Sequence, residues 1–171
     1  MRTARVVVLP YDSAWRDDFL KIKDELMAAI GDLALAVEHV GSTSVEGLCA
    51  KPCIDIDVVI ADNTVFGEVV RALGEIGYIH EGDLGIKGRE AFRYTDKPHL
   101  RSHHLYVCTR DSDELKRHLT FRDYLCTHPA AVRKYGEVKT RAAQLFADDI
   151  DGYIEYKSAC ITELYRECGL E

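Results

Sequence analysis

The 171-residue sequence has no C-x-x-C pair, no linker rich in Gly, Ser or Pro, no repeat at solenoid period and only four prolines. The missing paired cysteines weaken any disulfide framework or zinc ribbon, and the six thiols, at 49, 53, 108, 126, 160 and 168, are expected to stay free. Cys49 and Cys53 with downstream histidines would make only a poor zinc signature at C-x₃-C spacing. An excess of positive charge is also missing. With 22 Lys and Arg against 29 Asp and Glu, the net charge is −7, which argues against a chain whose main work is gripping a nucleic-acid backbone. The first apolar run holds four residues before Pro10, too short for a signal-peptide core or a membrane span, so a cytoplasmic location and no membrane partner are expected.

What is present is an ordinary globular composition, 47% hydrophobic, in a length that suits one domain over 1–171. Val6 to Leu9 is a short β-type run, and Asp12 or Ser13 can cap a helix carrying Trp15, Phe19, Ile22, Leu26 and Ile30 at helical spacing. Leu33 to Val40 and Cys53 to Ile60 read as strands. Asn63 is placed to cap a helix through Val65, Phe66, Val69, Val70 and Leu73 that ends near Gly74 or Gly77. Further strands are expected at Tyr78 to Glu81, Ala91 to Thr95 and His103 to Thr109. From Ser112 onward the pattern is helical, with a break at His128-Pro129. The expected architecture is therefore α/β (α+β), a mixed sheet flanked by helices over about 1–110 and a helical part over about 111–171.

The chemistry concentrates in "HVGSTSVEGLCAKPCIDIDVVI", residues 39–60. Alternate side chains of a strand share a face, so Asp55 and Asp57 point one way while Ile54, Ile56 and Val58 point the other. Two carboxylates about 7 Å apart at their Cα atoms repel each other and invite a cation; a hard divalent ion takes such oxygens together with substrate phosphates. The plainer alternative is a strand whose polar face meets water. Gly41-Ser42 follows a strand and can offer backbone N–H groups and a hydroxyl to phosphate oxygens, or can be an ordinary turn with Ser42 or Thr43 as a cap.

This stretch resembles the signature of the GrpB family, within the nucleotidyltransferase superfamily of the DNA polymerase β type, where a Gly-Ser turn precedes Asp-x-Asp on a strand by about a dozen residues. Here twelve residues separate Ser42 from Asp55. "YDSAW", "GIKGREAFRY", "HHLYV", "LTFRDYLCTHP", "YGEVK" and "YIEYK" also resemble family blocks, so the likeness covers nearly the whole chain. It implies a nucleotidyltransferase-like sheet, Gly41 and Ser42 on the β- and γ-phosphates of a nucleoside triphosphate, and Mg²⁺ or Mn²⁺ on Asp55 and Asp57. The implied activity is nucleotidyl transfer to an unknown small-molecule or protein acceptor. The other reading is a non-catalytic module holding a nucleotide or phosphometabolite, in the CoA pathway by the likeness to domains fused to dephospho-CoA kinases.

The sequence departs from the superfamily pattern where a third carboxylate is expected, because the natural strand reads "HHLYV". His104, beside Tyr106, is the candidate base or ligand in its place, with half-buried structural histidines at 103 and 104 as the alternative. His39 is expected to be structural. Lys51, Lys87, Arg89 and Arg93 are cations that can meet phosphates or form a solvated rim. Arg122 is expected in a structural salt bridge. The two helical lysines, Lys139 and Lys157, can extend toward the triphosphate or lie on a solvated helix face; the solvated face is expected more for Lys139 than for Lys157, which follows two aromatics.

Overall fold

The computed structural model describes residues 5–171. Five strands, β1 (Ala34–Val40), β2 (Ile54–Ile60), β3 (Ile79–Gly82), β4 (Glu90–Arg93) and β5 (His103–Thr109), form one mixed sheet in the order β1-β2-β5-β4-β3. Only the β2/β5 pair is parallel; its crossover contains α2 (Phe66–Glu75) and the β3–β4 pair. The remaining helices are α1 (Ala14–Ile30), α3 (Asp113–Thr127), α4 (Pro129–Leu145) and α5 (Ile150–Glu167).

The apolar face of β2 decides the packing. Ile54, Ile56, Val58 and Ile60 are buried against Trp15, Phe19, Ile22, Leu26 and Ile30, the stripe that α1 presents at helical spacing. Val69 and Leu73 of α2 join them, with Phe92, Leu105 and Val107 from the neighbouring strands. Each such side chain contributes about 1.5–3 kcal/mol on burial, so this face carries most of the stability. The opposite face is covered differently. Val59, Cys108 and Leu115 form a small contact with α3, while α3, α4 and α5 make their own core of Leu125, Ala131, Tyr135, Cys160 and Leu164 that closes on Val45 and Leu48. The long β1–β2 connection is thereby clamped by the helical half, and the ground between it and the sheet becomes a cleft.

Local signals were mostly obeyed, with two differences. Val6 to Leu9 forms no strand; a single antiparallel bridge joins Leu9 to Ala50. Asn63 is not the cap of α2: Asp62 accepts from the Thr64 N–H at 2.9 Å and starts a single 3₁₀ turn, Asn63–Val65, that leads into the helix. An aspartate one residue earlier competes successfully for the same orphan donors. No helix among the described residues is long and apolar enough to cross a membrane.

Candidate active site

Asp55 and Asp57 share the β2 face turned away from α1. Asp57 is fully buried. The His118 Nδ1–H donates to its Oδ2 at 2.6 Å, and its Oδ1 is enclosed without any hydrogen-bond partner among the described residues. Glu114 Oε2 lies 3.7 Å from the other ring nitrogen of His118, so a carboxylate–imidazole–carboxylate chain runs from α3 to the strand. Burial opposes charge on His118, but the hydrogen bond and charge of Asp57, reinforced by Glu114, hold its pKa above the ordinary value.

Asp55 is half-buried and fits against the Gly-Ser turn so closely that a Cβ at Gly41 would collide with its carboxylate. Gly41 also adopts φ +73°, a conformation that disfavours a side chain. Desolvation raises the Asp55 pKa; His104 acts against it, Asp57 adds to it, and His118 and Lys139 act against it.

Ser42 opens a 3₁₀ turn, Ser42–Ser44, whose cap position is Gly41, and its hydroxyl does not bond within the turn. Instead it accepts from Lys139 Nζ at 2.7 Å, and Lys139 also donates to the Cys49 carbonyl at 2.8 Å. The expected solvated Lys139 is thus corrected: it is 3% exposed, in line with Ala131, Tyr135 and Ala142 on the inward stripe of α4. Burial, then the charge of Lys157, pull its pKa down to about 7. Lys157 is half-buried, sits over the Tyr153 ring at 4.5 Å, and is held below the ordinary lysine value by burial despite the attraction of Asp55. A cavity of about 200 Å³ opens beside Asp55 beneath the turn, with Arg117, His118 and Arg122 at its polar end and Phe121, Tyr135 and Tyr165 in its aromatic wall.

The strand register settles where the histidines lie. His104 pairs with Asp55 and Tyr106 with Asp57 across the parallel β2/β5 junction, so all four side chains occupy one face. His104 is exposed there, whereas His103 is buried behind it and hydrogen-bonds Tyr78 Oη at 2.7 Å. The structural reading therefore applies to His103 alone. His39 is structural as well, stacked on Phe19 and bonded to Thr43 at 2.9 Å; burial and the charge of Arg122 push its pKa down to about 4. Arg122 makes the expected salt bridge, to Glu38 at 2.7 Å. Arg89 lies over the Tyr106 ring at 4.1 Å. Arg93 is exposed on β4, Lys51 is exposed in the approach to β2, and Lys87 borders a separate groove around Asp83 and Asp111. Cys49 turns toward the Gly136 carbonyl and Cys53 toward Ser102, two different surroundings.

The sequence reading missed His118, Glu114 and Arg117. A signal existed: Glu114, His118 and Arg122 recur at i, i+4 and i+8, one face of α3. That face meets β1 and β2 through Glu38 and Asp57.

The family model described as GrpB protein matches residues 5–167. UPF0157 protein BH1888 of Halalkalibacterium halodurans is 34% identical over 97% of this chain and 84% of its own length. UPF0157 protein YqkA of Bacillus subtilis is 31% identical over 92% of this chain, which spans only 45% of YqkA. The crystal structure of the conserved protein GrpB from Enterococcus faecalis superposes with a TM-score of 0.82 at 35% identity, covering 95% of this chain and 96% of that one. The Cid1 poly(U) polymerase with MgGTP bound superposes with a TM-score of 0.54 at 11% identity, over 78% of this chain and 43% of Cid1. The fold is thus nucleotidyltransferase-like.

Proposed function

We propose that this chain, which belongs to the GrpB family, binds a nucleoside triphosphate with a divalent cation at the Asp55–Asp57 face and transfers the nucleotidyl group to a hydroxyl-bearing acceptor. One observation carries this reading: Asp57 Oδ1 is buried and unpartnered among the described residues, on the same strand face as Asp55. An unsatisfied buried polar atom costs about 1–3 kcal/mol, and more when charged, so its retention points to a partner that arrives with the ligand. Carboxylate oxygens fit Mg²⁺ or Mn²⁺, and Asp55 and Asp57 would hold such an ion. Once bound, the ion would neutralise charge on the phosphoryl oxygens.

The remaining work falls to the chain. Gly41 and Ser42 receive phosphate oxygens, with Lys139 already oriented on the Ser42 hydroxyl and Lys157 and Lys51 adding positive charge. His118, braced by Glu114, fixes Asp57 so that Oδ1 remains the free oxygen. His104, in register with Asp55, accepts the proton of the attacking hydroxyl as the new oxygen–phosphorus bond forms and pyrophosphate leaves.

A second reading is favoured by the same register: the residue beside Asp55 on β5 is His104, not a carboxylate. On that reading the site holds a nucleotide or a CoA-pathway phosphometabolite without chemistry. A thermal-shift panel of nucleoside triphosphates and dephospho-CoA, with and without Mg²⁺, tests both. Ligand at 100 times its dissociation constant stabilises by about 2.7 kcal/mol. A metal-dependent shift lost in Asp55→Asn supports the site, and pyrophosphate release with an acceptor then separates enzyme from binder. No shift with any nucleotide, or an undiminished shift in the variant, defeats the nucleotide reading.

A further inference from the structure

Asp55 stands between two recesses. The cavity under the Gly-Ser turn lies on one side. On the other, across β5, is a recess of about 260 Å³ lined by Glu81, Leu84, Ala91, Arg93, His104 and Tyr106 among others. Ala91 pairs with Tyr106, so Arg93, two residues on, points to the same side as His104 and the two aspartates. The reverse side of these strands is filled by Phe92, Leu105 and the α1–α2 core, which leaves the recess on the carboxylate face.

Its chemistry is graded. His104 stands at the inner end, one strand from Asp55, and Arg93 one strand farther, about 10 Å from Asp55 at roughly 4.8 Å per strand. Arg93 is exposed and makes no ion pair among the described residues. A second arginine, Arg89, covers Tyr106, and its Nε finds no acceptor among the described residues. Glu81 is the one carboxylate among the lining residues, and it is exposed. The volume falls below the roughly 300–1,000 Å³ of pockets for drug-sized ligands, which suits a small metabolite.

We propose that this recess is the acceptor site, taking a small molecule with a free hydroxyl at His104 and an anionic group, carboxylate or phosphate, at Arg93. The assignment rests on the nucleotide reading of the Asp55 side. The hydroxyl oxygen bonds to the α-phosphorus, its proton passes to a ring nitrogen of His104, and the bond from the α-phosphorus to pyrophosphate breaks.

The test uses protein with isotope-labelled histidine rings, the His104 signal being assigned with His104→Gln. α,β-Methylene ATP with Mg²⁺ is added first, and then glycerol 3-phosphate, glycolate and ribose 5-phosphate are titrated beside neutral glycerol and ribose. The expected result is that at least one anion shifts the His104 signal, its neutral counterpart does not, and Arg93→Ala weakens the effect at least tenfold while the nucleotide response of His118 is kept. Carboxylate and phosphate probes responding differently would identify which anion is preferred. If the nucleotide moves His118 but no anion moves His104, or if Arg93→Ala changes nothing, the acceptor assignment is overturned and the nucleotide reading stands. If the nucleotide moves no histidine, the nucleotide reading fails first.

Discussion

The two faces of β2 are built by opposite rules. One face, Ile54, Ile56, Val58 and Ile60, is closed by local regularity: a helix with apolar residues at helical spacing lies on alternating apolar residues, and every contact is interchangeable in kind. The other face holds Asp55 and Asp57, and its neighbours come from β5, three helices and the Gly-Ser turn: His104, His118, Lys139, Lys157 and Gly41. The first face makes the fold; the second leaves one carboxylate oxygen without a partner among the described residues. On the proposed function, stability and ligand chemistry are therefore separable on a single seven-residue strand.

The most severe way to break that separation is on the apolar side. Ile56→Ala, at a fully buried position, is expected to cost about 2–5 kcal/mol in chemical denaturation while leaving any metal affinity of the folded fraction unchanged. Next, Asp57→Asn should move stability by less than Ile56→Ala but weaken Mn²⁺ binding by more than about 100-fold, since a direct ligand outweighs the roughly 10–100-fold effect of an outer partner. His118→Ala should fall in that about 10–100-fold range, with partial recovery in His118→Gln, which keeps an N–H donor. Equal losses of stability and affinity across the three variants would show that the two faces are not independent.

The last effect, spread over pH and no larger than about 1.4 kcal/mol within any one pH unit, concerns Lys139. Its folded pKa, pulled down to about 7, lies below the ordinary lysine value of about 10.4, so the unfolded chain binds more protons between these limits and wild-type stability gains from Lys139 as pH rises through them. Lys139→Met removes this linkage. The stability of the Met variant relative to wild type should therefore decline from pH 7 toward pH 10, by no more than about 1.4 kcal/mol per pH unit, in parallel denaturation curves. A flat difference would mean that Lys139 is not depressed in the fold.

The apolar face was legible because its signals are local: the spacing of Trp15 through Ile30 and the alternation along Ile54–Ile60 each fit within one element. The Gly-Ser turn and Asp-x-Asp were visible for the same reason. What escaped were pairings across the chain. His118 reaches Asp57 over 61 positions and Lys139 reaches Ser42 over 97, and no periodicity within α3 or α4 encodes those distances. Lys139 was misplaced because a lysine on a helix is usually solvated; its buried neighbours Ala131, Tyr135 and Ala142 were the overlooked cue. His104 was legible as a candidate by residue type, but only the parallel register of β2 and β5 puts it beside Asp55 and not behind the sheet with His103.

The central claim is that the carboxylate face of β2 holds a divalent cation together with a nucleotide. Its most direct test is a titration of Mn²⁺ followed by electron paramagnetic resonance, with and without α,β-methylene ATP, on wild type, Asp55→Asn and Asp57→Asn. Saturable Mn²⁺ binding that is tightened by the nucleotide and lost in both variants is the predicted result. No bound Mn²⁺ in wild type, or binding that survives both substitutions, would contradict it.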